Sequence, residues 1–409
     1  MKYVKNYECT LCHKTFDKTS KLNTCDECGE KGILDINYNY EALKQVINKE
    51  YFKANPDYTM WRYKYLMSVK DRDFSNTLKV GWTPLYESFH LKKDLGLKAL
   101  YLKDEGLNPT ASLKDRASAV AVMKAIEEDA SVISCSSTGN AASSLAGNAA
   151  RMGLKTVIFV PKRAPLGKLS QLLIYGAKVI SVEGDYKDTF NLSKAAINHF
   201  GWYNRNAAIN PHLVEGKKTV ALEIAEQLDF KVTDWVSVSV GDGCTIGGVY
   251  KGFYDLFMVG LIDRIPKILG VQSDGCSPFY TAYTEGCPLV EAEENTIADS
   301  IAVGIPRNPV KAQKAVTKSK GTWITVSDEQ ILEAMKILGS KEGIFGEPAG
   351  VAGFAGVINA LQQGIIKHTD TVTVIVTGNG LKDTANALKA TQAPLSLKPD
   401  LQALIKALK

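Results

Sequence analysis

From about residue 98 the chain repeats one pattern: a short apolar run, a turn rich in Gly, Asn, Ser or Thr, then a stretch of helical period. Ala99–Leu102, Val132–Cys135, Thr156–Val160, Lys178–Val182, Trp235–Val240, Lys267–Val271 and Val372–Val376 read as buried strands. Between them, Ala117–Glu128, Ser143–Arg151 and Thr219–Leu228 are amphipathic and predict helices. Apolar strands alternating with helices predict parallel sheets covered on both faces, the doubly wound α/β class. Such sheets bind ligands beyond the carboxyl ends of their strands, which makes the strand-to-helix turns the candidate sites. Residues 40–90 read as one helix followed by aromatic-rich connecting chain, and the last twenty as a Lys-rich amphipathic tail.

Composition adds mainly exclusions. The 409 residues are 45% hydrophobic and 23% charged, with a net charge of +5. These values exclude a disordered, collagen-like or disulfide-stapled chain. The positive surplus is too diffuse to predict a nucleic-acid partner. Met1–Glu8 lacks the apolar core of a signal peptide, and the apolar window Val249–Ile262 is interrupted by Lys251 and Asp255. No membrane span is expected. The sequence reads as soluble and cytoplasmic, where cysteines stay reduced.

Cysteine placement changes the picture at one end. Cys9, Cys12, Cys25 and Cys28 form two C-x2-C pairs separated by twelve residues. Two such knuckles supply the four tetrahedral sulfurs that zinc prefers, so residues 1–38 predict a structural zinc ribbon. The ribbon lacks the basic and aromatic cluster of a nucleic-acid binder. Cys135 closes an apolar run, whereas Cys244 stands in a glycine-rich turn.

Four turns carry candidate chemistry. In the first, Asn108-Pro109-Thr110 precedes a helix that places Lys114 in its opening turn. A cation there is opposed by the helix dipole. Two readings stand: a solvated surface lysine, or an amine kept neutral and reactive toward a carbonyl. In the second, Ser136-Ser137-Thr138-Gly139-Asn140 offers hydroxyls and helix-start N–H groups to a carboxylate or phosphate. The third, Gly241-Asp242-Gly243-Cys244-Thr245, lets backbone amides close around a phosphate, yet is neither a Walker loop nor a full dinucleotide fingerprint. The fourth opens with Thr377, a hydroxyl at a strand tip followed by Gly378-Asn379-Gly380-Leu381-Lys382-Asp383.

Together these turns resemble the threonine synthase family of pyridoxal-phosphate (PLP) enzymes, fold type II, from about Met60 to Asp383. The resemblance also rests on Gly81-Trp82-Thr83-Pro84-Leu85, Gly167-Lys168-Leu169-Ser170-Gln171, Glu215-Gly216-Lys217-Lys218-Thr219 and Glu347-Pro348-Ala349. It implies two doubly wound domains, one of 39–100 with 215–409 and a smaller one of 101–214, in a homodimer. By the same resemblance Lys114 would carry PLP and later serve as the base. Asn140 would bond the cofactor's phenolic oxygen, and the 136–140 turn would hold the carboxylate of an amino-acid substrate. The amides of 241–245 would cradle the cofactor phosphate. Thr377 would face the ring nitrogen, where a hydroxyl makes the ring a weaker electron sink than a carboxylate would, favouring elimination and replacement.

The sequence departs from that family where O-phosphohomoserine would bind. A segment usually resembling Asn-Ser-x-Asn-Pro-x-Arg-x-Glu-Gly has Ala207, Ala208 and Leu213 at its Asn, Ser and Arg positions. Ala141 replaces a usual threonine, and Asp242 and Cys244 alter the cofactor loop. An unpaired phosphate would cost several kcal/mol of binding. The expectation is therefore elimination or replacement, of ammonia-lyase or β/γ-substitution type, on an unphosphorylated amino acid. His212 and Lys217 are the candidate substitute cations, His212 reading rather as structural. Three alternatives remain: threonine synthase acting on O-phosphohomoserine, one catalytic subunit of a two-protein complex accepting an acyl group, and a non-catalytic PLP-binding or zinc-ribbon adaptor.

Overall fold

The computed structural model describes every residue except 163, 165, 185, 207, 208 and 409, together with all side chains of the remainder save those of 166–168 and 186. Its strands are β1 (Val4–Cys9), β2 (Thr15–Asp17), β3 (Leu34–Tyr38), β4 (Leu85–Glu87), β5 (Ala99–Asp104), β6 (Val132–Ser136) and β7 (Lys155–Pro161). They continue with β8 (Lys178–Val182), β9 (Tyr203–Asn204), β10 (Trp235–Ser239), β11 (Lys267–Ser273), β12 (Thr322–Val326) and β13 (Thr371–Val376). They form three sheets, ordered β2-β1-β3, β12-β11-β10-β13-β5-β4 and β8-β7-β6-β9. The first is antiparallel. The other two are parallel, except where β4 pairs antiparallel with β5 at an edge. The mixed α/β fold expected from the alternating pattern is present.

The four-stranded sheet is built from chain that leaves the six-stranded sheet after β5 and returns as β10. Helix Lys114–Glu127 follows β5, with eleven residues buried. It packs on helices Asn140–Arg151 and His212–Lys217 and so lies between the two parallel sheets. Asp115 in its first turn ties neighbouring chain to it, accepting from the Thr110 N–H at 2.7 Å, the Thr110 hydroxyl at 2.8 Å and Asn148 Nδ2 at 2.8 Å.

Two expectations need correction. Residues 40–90 hold more than the one helix and connecting chain expected: helices Tyr40–Lys44 and Lys49–Ala54, a 3-10 segment Met60–Leu66, strand β4, and the start of helix His90–Asp94. Asn39 and Asn48 each cap a fresh helix start, which divides the run. Strand β12 was not anticipated. It pairs with β11, where a Cβ on Gly270 would stand 2.5 Å from the Trp323 ring, so the glycine admits the indole. Among the described residues no helix is long and apolar enough to cross a membrane.

Candidate active site

The turns at the carboxyl ends of β5, β6, β10 and β13 meet around one cavity of about 200 Å³. Lys114, Ser136, Ser137, Asn140, Thr377 and the whole run from Gly241 to Thr245 line it. Thr138 and Gly139 belong to the same turn but are not among the lining residues.

Backbone bonds tie the Lys114 turn to the Thr377 turn. The Leu113 N–H donates to Thr377 O at 2.9 Å, and the Asn379 N–H to Ala111 O at 3.0 Å. Ala111 has φ +67°, a left-handed conformation unusual for alanine, directly ahead of the helix that begins with Lys114. Burial pushes the half-buried Lys114 ammonium down to about 8, with Lys217 and Arg205 adding repulsion and Glu347 opposing it. Of the two readings of this lysine, the neutral, reactive amine fits its place on the cavity wall.

The glycine turn is shaped for close approach. Gly243 (φ +85°) caps helix Cys244–Met258, and a Cβ there would sit 2.7 Å from Asn308 O. A Cβ on Gly241 would stand 2.8 Å from Ile301 Cα. The first-turn N–H groups of a helix lack partners within it, so this turn suits a phosphate. Asp242 turns part of its charge away, accepting from the Arg307 N–H at 2.8 Å.

Across the cavity, Asn140 Nδ2 donates to Glu347 Oε1 at 2.7 Å. Burial and Asp299 push Glu347 up to about 7, against Lys114 and Lys382. Lys382 reaches Ser143 Oγ at 3.0 Å and Gln171 Oε1 at 2.6 Å. These bonds join turns of the six-stranded sheet to helices of the four-stranded one. Ser136 Oγ is buried with no hydrogen-bond partner. Such an orphan beside a polar cavity is a position where a ligand oxygen can be received.

The phosphate-binding charge reads differently in the structure than in the sequence. Leu213 is buried in apolar core, and Ala207 and Ala208 lie outside the described residues. His212 does not line the cavity: its Nδ1 lies 2.8 Å from Ser68 Oγ, and burial holds the ring well below its ordinary pKa. Lys217, 2% exposed, and Arg205, 1% exposed, do line it. Arg205 Nε and Nη2 each donate to Ser118 Oγ at 3.1 Å. Among the described residues neither cation has a carboxylate within ion-pair distance. Burial lowers both pKa values. Sequence reasoning missed Arg205 because β9, whose tip it follows, has only two residues and no readable apolar run.

At the other end of the molecule, the thiol sulfurs of Cys9, Cys12, Cys25 and Cys28 all lie within 4.8 Å of one another. Cys12 and Cys25 are 3.7 Å apart, close to the roughly 3.8 Å edge of a tetrahedron with 2.3 Å zinc–sulfur bonds. Burial pushes the Cys9 thiol up, but the Cys12 and Leu11 N–H groups and the neighbouring thiols outweigh it and bring it down to about 7. A Cβ on Gly32 would lie 2.6 Å from Cys25 Cβ and Cys28 Cβ, so only glycine closes this loop. The donor set and its spacing fit zinc.

Residues 77–378 match the family model described as pyridoxal-phosphate dependent enzyme. The threonine synthase of Methanocaldococcus jannaschii is 41% identical over 404 residues, 98% of each chain. That of Methanosarcina acetivorans is 37% identical over the same span and coverage. The chain belongs to the threonine synthase family of pyridoxal-phosphate dependent enzymes. Solved structures show the same fold. Holo diaminopropionate ammonia lyase from Escherichia coli has a TM-score of 0.68 at 20% identity, covering 84% of this chain and 95% of that one. The processed form of threonine deaminase isoform 2 from Solanum lycopersicum has a TM-score of 0.66 at 23% identity, covering 76% and 87%. The enzyme therefore uses PLP, and a glycine turn, a lysine of lowered pKa and a strand-tip hydroxyl line its cavity.

Proposed function

We propose that the enzyme is a threonine synthase, converting O-phosphohomoserine and water to threonine and inorganic phosphate. The observation that carries this reading is the pair Arg205 and Lys217, two buried cations without carboxylate partners on the wall of the Lys114 cavity. Burying an uncompensated charge is costly, and a dianionic substrate phosphate would compensate both. Curated relatives named threonine synthase over nearly the whole chain support it. It displaces the unphosphorylated substrate expected from Ala207, Ala208 and Leu213, because the charge absent at those positions is supplied from others.

Bound here, the cofactor would act as an electron sink that acidifies the hydrogen on the amino-bearing carbon and then those on the carbon beside it. In this reading Lys114 holds the cofactor and then takes and returns the proton at the substrate Cα. The 241–245 amides pair with the cofactor phosphate and leave Arg205 and Lys217 to the substrate phosphate. Asn140 orients the cofactor's phenolic oxygen, the 136–140 turn holds the substrate carboxylate, and Thr377 offers the ring nitrogen a hydroxyl. The proposed modules are 1–38, 39–100 with 215–409, and 101–214.

Threonine and inorganic phosphate should both form from O-phosphohomoserine, with kcat/KM exceeding that for homoserine by about 10³-fold or more, the worth of two charge-assisted contacts. Assay of both products with O-phosphohomoserine, homoserine, serine and threonine as substrates decides it. Faster elimination from an unphosphorylated amino acid would restore the earlier expectation.

We also propose that Cys9, Cys12, Cys25 and Cys28 hold a structural zinc. Metal analysis of purified protein should find about one zinc per chain, and Cys25→Ser should abolish it and lower the melting temperature. Full metal content in the Cys25→Ser protein would refute this assignment.

A further inference from the structure

Two walls of the cavity rest on the N-terminal three-stranded sheet, which is far away in sequence: Tyr38 and Glu215, for example, are 177 residues apart. One wall is helix His212–Lys217, which presents Lys217. Tyr38, the last residue of β3, donates its hydroxyl proton to Glu215 Oε2 on that helix. The same carboxylate accepts from Lys218, whose Nζ also donates to Asp255 Oδ2 at 2.7 Å. Tyr40 donates to Asp255 Oδ1 at 2.6 Å, and Lys251 Nζ reaches that oxygen at 2.7 Å. Tyr7 on β1 meets the His212 ring edge-on, with centroids 5.7 Å apart.

The other wall is the glycine turn, which opens the helix carrying Lys251 and Asp255. Its brace is Lys311, which donates to Leu34 O on β3 at 2.7 Å and pairs with Asp35 at 3.4 Å. The helix bearing Lys311 follows Asn308, whose N–H donates to Asp242 O at 3.1 Å and whose Nδ2 meets Cys244 Sγ at 3.6 Å.

Helix His212–Lys217 continues through Lys218 (φ −59°, ψ −21°) into helix Thr219–Gln227, with a break in regular winding at Lys218. The setting of its six residues about that break depends on what they pack against. Lys217 and Glu215 are two residues apart and so point to different sides of that helix, one to the cavity and one to the buried ionic network. Fixing Glu215 therefore fixes the rotation of the helix and the direction of Lys217.

We propose that Tyr38 is a positioning residue for phosphate binding: through Glu215 it sets the helix that aims Lys217 into the cavity. The inference rests on the proposed phosphate role of Lys217 and adds that the N-terminal sheet tunes substrate affinity.

A double-mutant cycle on the PLP-loaded enzyme tests it, with inorganic phosphate as the titrant and calorimetry as the readout. The cofactor's own phosphate then occupies the glycine turn, so the titration reports the second phosphate position. Lys217→Gln should weaken phosphate binding about tenfold, and Tyr38→Phe about fivefold. The double variant should be no weaker than Lys217→Gln alone, because Tyr38 acts only through Lys217. Tyr40→Phe, which reaches Glu215 through Asp255 and Lys218 in the same network, serves if Tyr38→Phe does not fold, with the same non-additivity expected. Additive losses, or unchanged phosphate binding in the tyrosine variants while Lys217→Gln is impaired, would overturn the positioning role. An unimpaired Lys217→Gln would instead overturn the phosphate reading, and this inference with it.

Discussion

Lys114→Ala is expected to abolish threonine formation, by about 10⁴-fold or more, while leaving the fold and melting temperature close to those of the parent. The size follows from the two tasks assigned to one amine, holding the cofactor and moving the Cα proton. The fold should survive because Lys114 takes part in no ion pair among the described residues, and the turn before it is held by Asp115 to Thr110 and by the backbone bond from Leu113 to Thr377. Borohydride reduction of the loaded parent followed by peptide mapping should place the pyridoxyl label on Lys114, and the variant should take up no label. A label on another lysine would refute the assignment.

The same residue predicts a pH dependence. Burial first, then Lys217, holds the Lys114 amine near 8 in the folded protein. Only the neutral amine attacks a carbonyl, so uptake of cofactor by cofactor-free protein should quicken as pH rises and level off above about 8. Below that midpoint the rate should fall about tenfold per pH unit. Lys217→Gln removes a repelling cation and should move the midpoint upward. Stopped-flow absorbance across pH 6–10 measures both, and a midpoint near the ordinary lysine value would show that burial does not act as described.

What was legible in the sequence, and what was not, follows from the range of the interactions involved. The parallel strands were readable because burial on both faces leaves nearly unbroken apolar runs, as in Val372–Val376. The four turns were readable because glycine, hydroxyl and helix-start residues are local signals, and the structure gathers the turns at one cavity. The cysteine cluster was likewise encoded by spacing alone. Arg205 was not readable. Its importance comes from its position after a two-residue strand and from having, among the described residues, no carboxylate within ion-pair distance, and both are properties of packing. The missing arginine at position 213 was visible and Lys217 was among the substitutes named, but Arg205 was not, because a charge in a cavity can come from any element that reaches the cavity. Substrate charge, read from one segment, is where the proposed function departs from the sequence reading, while cofactor class, read from four turns, agrees with the family.

Replacing Arg205 tests that compensation most sharply, because activity and stability should move apart. Arg205→Met keeps the length and apolar stem but removes the guanidinium. With O-phosphohomoserine, kcat/KM should fall by about 10²–10³-fold, carried mainly by KM, since a charge-assisted pair with a dianion is lost. The melting temperature should hold or rise. No carboxylate is orphaned by the change, and Ser118 keeps its 2.7 Å hydrogen bond with Ser144. Removing a buried cation whose side-chain partner among the described residues is a neutral hydroxyl rather than a carboxylate removes its desolvation penalty from the substrate-free fold. Arg205→Lys should recover part of the affinity, because a point charge replaces a two-pronged donor. Kinetics and calorimetry on the three proteins separate the cases. A purely structural arginine would lower stability and kcat together on every substrate, whereas a phosphate-binding one lowers affinity for the phosphorylated substrate and leaves the fold as stable as before.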